Sequence, residues 1–587
     1  MNQVAEAIEK QDFNSAQRLL ESLEKEYGGN PYFLWIKALF KLSKGSDKIG
    51  VVLPLFEEAY NRGLKELNFL RRYGALLLEF ENYSKACKVY GEIVQIKRDD
   101  IEVLIILAHI FYKTGNPVSS INTLKLAAKI NPTHSSIPTI YCGIGNALMA
   151  SGYQEASIEA YKKAFELDSE NNYFASDYLF HLNYVDMSRE EYYLLCQKHR
   201  TLWESEILTA RPLFPQTNKI KIGFISGDFR FHAVSFFMSP LFENYDKLKF
   251  EIHLFSTQPR EKYDKVTEMF IEQTDKWHDI SKTGFKDVTN LIKKEEISVL
   301  FDLGGYTNAG VPIKIFGFRP APVQISYCGY PNTTGLKSID YRITDKICEP
   351  DDAQNYYSEK LFKIDGCFLC YQPYSEVVPE CSFENPHGRQ IVFGSFNNLS
   401  KITPKTIKLW RDVLNAVPGS KIVLKDKYLN DPKLREITVS RFMENGISAD
   451  RIIALSFNFV VKEHYAQYNN IDIALDTFPY NGTTTTCEAL YMGVPVITML
   501  GDRHASRVSA SLLNAVGLGE FVAKDENEFV KIAADLAGNP QKLTEIKQNL
   551  RERMQNSPLM DKKSFTRKWQ NAVMKMIDEV KSEALSF

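Results

Sequence analysis

Four consecutive threonines, Thr483 to Thr486, stand between an apolar run, Ile471 to Leu475, and a helical pattern, Glu488 to Met492. The apolar run is β-branched enough to be a buried strand, so the threonines fall where a helix begins. Free N–H groups and the positive end of the helix dipole make such a position an anion site, and short hydroxyls add donors without blocking the approach. Glu488 is then expected in the first turn of that helix, where its carboxylate accepts bonds from sugar hydroxyls. Thr485-x-x-Glu488 also fits an ordinary capping box, a purely structural device. Asn481-Gly482 just after the strand places the whole block at the crevice where open α/β sheets take ligands. That context favours a nucleotide diphosphate. Lys401, in Phe396-Asn-Asn-Leu-Ser-Lys401, follows another strand pattern and is a second candidate donor to phosphate, its alternative being a solvated residue at a helix start. A lone histidine after a strand, as at His232, is by itself more often structural.

The remaining composition narrows the partners. The 587 residues are 44% hydrophobic and 25% charged, with a net charge of −2. Neither nucleic acid nor an anionic membrane is expected as a bulk electrostatic partner. No apolar run reaches membrane-span length, and the first ten residues lack the basic and apolar regions of a signal peptide, so a cytoplasmic location is expected. The nine cysteines are scattered, and Cys367-Phe-Leu-Cys370 has no companion pair at zinc spacing, so they read as reduced, mostly buried thiols. No D-x-D occurs anywhere in the chain, and no metal or other cofactor is expected on the diphosphate.

Residues 1–200 are dominated by helical patterns that repeat. Blocks beginning at Leu67, Ile101 and Pro138 align Tyr73-Gly74 with Leu107-Ala108 and Ile144-Gly145. The same alignment brings Ala86, Ser120 and Ser157 into one column and Tyr90, Leu124 and Tyr161 into another. With Gly115 and Gly152 at the inter-helix turns, this is the large-and-small pattern of the tetratricopeptide repeat. Phe13 to Lys25 and Pro31 to Lys44 look like more degenerate units. Stacked helix pairs form a groove that suits an extended peptide or an acceptor protein, the alternative being a cap on the next domain.

Residues 201–218 read as a linker, because two prolines interrupt Arg211 to Asn218. Strand and helix patterns then alternate over 219–388 and again over 389–564, which implies two doubly wound Rossmann-like domains. The first series has strands at Lys221 to Ser226, Phe250 to Ser256, Ile297 to Leu303, Val323 to Tyr327 and Tyr341 to Thr344. The second has Ile391 to Ser395, Lys421 to Leu424, Arg451 to Leu455, Ile471 to Leu475 and Val494 to Met499. An amphipathic helix over 565–587 is placed to cross back over the first domain. Such a pair facing a cleft suits a nucleotide-sugar donor.

From about Asn218 onward the chain resembles glycosyltransferase family 41, the protein O-GlcNAc transferases and their SPINDLY relatives. The resemblance rests on Gly223 to Val234, Arg319 to Gln324, Gly329 to Gly335, Asp340 to Asp345, Phe393 to Lys405 and the threonine block. It implies a tetratricopeptide superhelix joined to a GT-B catalytic region. It also carries the family's roles onto particular residues. His232 becomes the active-site histidine and Lys401 the lysine at the donor phosphates. Thr483, Thr484 and Thr485 bind the diphosphate, Glu488 the ribose, and His464 lies near the base. Asn398, Tyr480, Thr483 and Glu488 depart from the animal O-GlcNAc transferases and follow SPINDLY, whose plant enzyme uses GDP-fucose. The implied reaction is transfer of a sugar from UDP-GlcNAc, with GDP-fucose as the alternative donor, to Ser or Thr of acceptor proteins. A GT-B enzyme acting on a small molecule or glycan is the further alternative, and homo-oligomerisation is compatible with each. Asp302 and Glu295 are carboxylates of the first domain without an assigned role.

Overall fold

The computed structural model describes residues 1–205, 210–307, 310–373, 381, 390–456 and 460–585. The expected change-over at 388/389 lies outside them. Two compact units are found, 1–144 and 145–587.

The first unit is helical. Its core gathers Trp35, Phe56, Phe69, Tyr73, Tyr90 and their neighbours. The repeat columns have a direct steric meaning there: a Cβ on Gly74 would stand 2.7 Å from the Tyr90 ring, so the small residue of one helix makes room for the large residue of the next. Gly115, between the helices Ile101–Lys113 and Pro117–Ile130, has φ +84°, a left-handed turn that glycine takes without strain. Within the second unit Gly145 and Tyr161 repeat the same packing, and Gly152 the same turn.

The unit boundary falls inside the helix Ile137–Ala150, not at the change of pattern near residue 200. The reason is burial. The segment 145–205 packs into the α/β part of its own unit: the backbone of Trp203 and Glu204 lies against Gly317, Cys196 against Gly335, and the Tyr192 and Tyr330 hydroxyls meet. The proline-rich stretch after it is tethered as well, since Arg211 donates to the Pro322 carbonyl at 2.6 Å and pairs with Asp340 at 2.8 Å.

Seven parallel strands form the first sheet: β1 (Ile220–Ser226), β2 (Phe250–Ser256), β3 (Lys276–Asp279), β4 (Val299–Asp302), β5 (Val323–Ser326), β6 (Tyr341–Thr344) and β7 (Lys360–Lys363). Their order is β3-β2-β1-β4-β5-β6-β7. The second sheet holds β8 (Val392–Ser395), β9 (Lys421–Asp426), β10 (Ile452–Ser456), β11 (Ile473–Leu475), β12 (Val496–Met499) and β13 (Val522–Ala523). It runs β10-β9-β8-β11-β12-β13, again all parallel. The order reverses between β1 and β4 in one sheet and between β8 and β11 in the other, which fixes a ligand crevice at the strand exits of each.

The last helix, Lys562–Leu585, returns to the first sheet. Its Trp569 packs 5.1 Å from the Phe301 ring and 6.0 Å from Phe224, and Glu579 accepts from the Tyr341 hydroxyl at 2.8 Å. Truncating a tryptophan so buried costs about 3–5 kcal/mol. Among the described residues no helix is long and apolar enough to cross a membrane. All nine cysteines are free thiols, six of them buried, and burial pushes Cys367 up to about 12.

Candidate active site

The site is built by the two switch points. After β11 the chain turns through Asp476, whose carboxylate accepts from the N–H groups of Thr477 at 2.9 Å and Gly482 at 2.7 Å and from the Thr498 hydroxyl at 2.7 Å. Gly482 sits so close to the next turn that a Cβ there would come within 2.6 Å of the Thr485 and Thr486 hydroxyls. The helix then runs Thr484–Tyr491, with Thr483 as N-cap and no side-chain capping bond. The capping-box alternative therefore fails. Glu488 falls beyond the first turn, one turn deeper than the sequence suggests, because the helix begins at Thr484.

The threonines divide by direction. Thr486 bonds the buried Ser509 hydroxyl at 2.9 Å, and Thr485 donates to Asn397 at 2.8 Å. The Thr484 hydroxyl is buried and has no hydrogen-bond partner among the described residues. Thr483, Thr484 and Thr485 line a cavity of about 460 Å³ together with Asn398, Lys401, Tyr480 and, from the first sheet, His232 and Asp228.

Lys401 ends the short 3₁₀ turn Leu399–Lys401 that follows β8. It is not a solvated helix-start residue: Nζ donates to the Asn481 carbonyl at 2.7 Å and lies 4.0 Å over the Tyr480 ring. Burial pushes its pKa down to about 8, against the pull of Asp476. An ammonium held by a carbonyl and a ring face, in low dielectric, is a strong attractor for an incoming anion.

The turn itself is pinned from the last helical repeat of the same unit. Gln154 Nε2 donates to the carbonyls of Ser400 at 2.8 Å and Ile402 at 3.2 Å. Arg441 bridges Ile402, at 3.1 Å, to the Ser151 carbonyl at 3.3 Å.

His464 and Glu488 do not line that cavity but meet beside it. Glu488 accepts from His464 Nε2 at 3.1 Å and from the Tyr468 hydroxyl at 3.0 Å. Lys425 Nζ donates to His464 Nδ1 at 2.8 Å and lies 4.1 Å over the Phe396 ring. This relay fixes the His464 tautomer, with the proton on Nε2. Burial takes Lys425 down to about 7, opposed by Glu488. Sequence reasoning missed Lys425, which reads as a strand residue of β9, and Asn397, whose buried side chain meets Thr485 while the expected Asn398 is exposed at the cavity mouth. The Asn-Asn pair carried no signal for which of the two turns inward.

Across the cavity, His232 follows β1. Its Nδ1 is 3.7 Å from Asp228 Oδ1 and 3.4 Å from the Val234 N–H, and its side chain is 36% exposed. Burial lowers its pKa while Asp228 opposes and Arg230 reinforces the shift, which leaves the ring neutral near pH 7. Asp302 is not in the cavity: it accepts from the Gly304 and Gly305 N–H groups, each at 2.9 Å, and burial pushes it up to about 6. It shapes the turn after β4. Glu295 lies elsewhere, at the entry side of β4.

Two parallel sheets with their switch points on one cavity, each supplying side chains to it, define a GT-B glycosyltransferase architecture. The sequence pattern of Glycosyl transferase family 41 matches residues 181–374 and 376–569, and a tetratricopeptide repeat matches 138–171. The chain belongs to glycosyltransferase family 41. A probable UDP-N-acetylglucosamine–peptide N-acetylglucosaminyltransferase SPINDLY of Oryza sativa subsp. japonica is 37% identical over 428 residues, 71% of this chain and 46% of that one. The tomato protein of the same name, from Solanum lycopersicum, is 39% identical over 371 residues, 62% of this chain and 39% of its own. The chain thus spans about half or less of the curated relatives it matches. A solved O-GlcNAc transferase mutant from Thermobaculum terrenum superposes with a TM-score of 0.81 at 28% identity, covering 88% of this chain and 98% of that one.

Proposed function

We propose that this chain is a protein O-glycosyltransferase that transfers a sugar, GlcNAc from UDP-GlcNAc ranked first, to Ser or Thr hydroxyls of acceptor proteins. The observation that carries the reading is the convergence of a buried ammonium, Lys401, and the N-terminus of the Thr484–Tyr491 helix on the cavity that also holds His232. The acceptor hydroxyl attacks the anomeric carbon, the nucleoside diphosphate leaves from the opposite face, and the configuration inverts. Lys401 and the helix N–H groups stabilise charge growing on the leaving phosphate, a role for which one preorganised donor is worth about 10²- to 10³-fold in rate. With those donors in place and no D-x-D pair in the sequence, the transfer is proposed to need no metal.

His232 orients the sugar or acceptor and is the candidate general base, its neutral ring suited to taking a proton. Glu488, held by His464 and Tyr468, accepts the ribose hydroxyls beside the base. The names of the relatives support a peptide acceptor and a UDP-GlcNAc donor. GDP-fucose remains the second donor, because Asn398, Tyr480 and Thr483 follow the SPINDLY pattern. Acceptor proteins are proposed to bind the groove of the helical repeats.

The test incubates the protein and a cell lysate with separately labelled UDP-GlcNAc, UDP-glucose and GDP-fucose. Label on protein from UDP-GlcNAc is expected. Label from GDP-fucose alone would replace the donor and keep the mechanism, whereas label confined to glycans or small molecules would overturn the protein acceptor.

A further inference from the structure

His253, His278 and Glu295 take no part in the cleft. His253 is fully buried in β2, His278 half-buried on the neighbouring edge strand β3, and Glu295 directly follows the helix Phe285–Lys294 that leads to β4. His253 Nδ1 stands 3.3 Å from His278 Nε2 and 3.7 Å from Glu295 Oε2, and one ligand atom from each of the three lies within 4.8 Å of the others. Glu251 faces the other nitrogen of His253, Nε2, at 2.8 Å. A carboxylate only accepts, so the His253 proton is on Nε2 and the Nδ1 lone pair points into the cluster. The His278 ring is held flat against Phe255, with centroids 4.5 Å apart and planes 11° from parallel.

We propose that His253 Nδ1, His278 Nε2 and Glu295 Oε2 form a binding site for a divalent transition-metal ion, zinc fitting best, with water as fourth ligand. Zinc bonds of about 2.0–2.1 Å to nitrogen and oxygen in a tetrahedron put neighbouring ligand atoms about 3.4 Å apart, close to the two spacings seen. The Glu251 contact is the outer carboxylate that metal-bound histidines ordinarily carry. Burial lowers the pKa of both histidines, His278 to about 4, so neither ligand must lose a proton to bind.

The competing cation is Lys276, 2.7 Å from the same Glu295 oxygen. Its side chain is 47% exposed and can swing into water when a metal arrives. The site is structural, not catalytic. Glu295 lies on the strand-entry side of the sheet, where its carbonyl accepts from Lys221 at 3.2 Å, and the cleft opens at the strand exits. A metal there would tie the edge strand to β2 and to the helix before β4.

The full chain, stripped with a chelator, is titrated with zinc alone and with cobalt(II) for spectroscopy. One retained equivalent per chain, cobalt bands of tetrahedral intensity and a raised Tm are expected. Glu251→Gln should weaken zinc by about 10- to 100-fold, and His278→Ala and Glu295→Gln by more. The half-exposed Glu295 leaves its variant folded if His278→Ala is not. No retained metal, equal binding by Glu295→Gln, or a thiolate-to-cobalt charge-transfer band placing the ion on cysteine would each overturn the site.

Discussion

At the strand exits of the second sheet the functional groups are ammonium ions in poorly solvated surroundings. Lys401 rests on a carbonyl and a tyrosine ring, Lys425 on a histidine and a phenylalanine ring, and burial lowers both, to about 8 and about 7. At the exits of the first sheet they are a carboxylate, Asp228, and a histidine that burial keeps neutral, His232. Both sheets share one topology. The difference lies in what each half lacks when alone: the second is short of negative charge, and the first offers groups that handle a hydroxyl and its proton. A donor with a diphosphate at one end and a sugar at the other supplies the missing charge to one half and the reacting centre to the other.

Removing Lys401 should break this division most severely. Lys401→Ala is expected to lower transfer by about 10²- to 10³-fold with Tm nearly unchanged, since Nζ faces the cavity and only the Asn481 carbonyl loses a partner. Steady-state rates beside a thermal melt measure it. Transfer above a tenth of wild type would remove Lys401 from the leaving-group role.

Changing the first half instead should separate chemistry from donor binding. His232→Asn is expected to lower kcat at least about tenfold, within the range of a lost acid–base or orienting group, while UDP affinity by calorimetry stays at the wild-type value. A parallel loss of UDP affinity would mean that both halves serve the diphosphate, and the contrast between them would fail.

The pH dependence sharpens the same contrast. Both lysines have folded-state pKa values, about 8 and about 7, below the unfolded value of about 10.4. Between those limits the unfolded chain binds more protons, so the lysines' contribution to stability rises with pH across that window and falls as pH drops through it. A bound diphosphate favours the charged forms and raises both pKa values. UDP binding at pH 8, where its own phosphates are already ionised, should therefore take up protons, read as a dependence of binding heat on the buffer's ionisation enthalpy. Lys401→Ala should reduce the uptake; unchanged uptake would detach the effect from that lysine.

The sequence carried this division unevenly. Central strands β1, β2, β4 and β5 are legible because parallel strands buried on both faces are continuous apolar runs. The edge strands β3, β7 and β13, Lys-Trp-His-Asp, Lys-Leu-Phe-Lys and Val-Ala, are short, and the first two are half-solvated, so they leave no such run. Gly74 and Gly145 are legible because the repeat restates their packing against Tyr90 and Tyr161. The helix start at the threonines was readable, but the depth of Glu488 was not, since the first helical residue depends on the Thr483 backbone. Lys425 was invisible for another reason. Its partner His464 comes from a later helix, Val461–Ala466, and no local pattern joins them.

The mildest test falls on the helix N-terminus. Thr484 offers a buried hydroxyl with no hydrogen-bond partner among the described residues, and that hydroxyl lines the cavity where the diphosphate is proposed to sit. Thr484→Ala removes one side-chain hydrogen bond to an anion, worth about 1.5–3 kcal/mol at most, and frees the protein from burying an unsatisfied hydroxyl when no donor is bound. The backbone N–H groups that point at the phosphate survive the change. UDP affinity should therefore fall by less than in Lys401→Ala, about three- to tenfold, while the free protein melts at the same temperature or slightly higher. That opposite sign is the useful part, because a residue that merely supported the helix would lose affinity and stability together. Loss of both would return Thr484 to the packing of the second sheet and leave Lys401 to hold the diphosphate with the backbone alone.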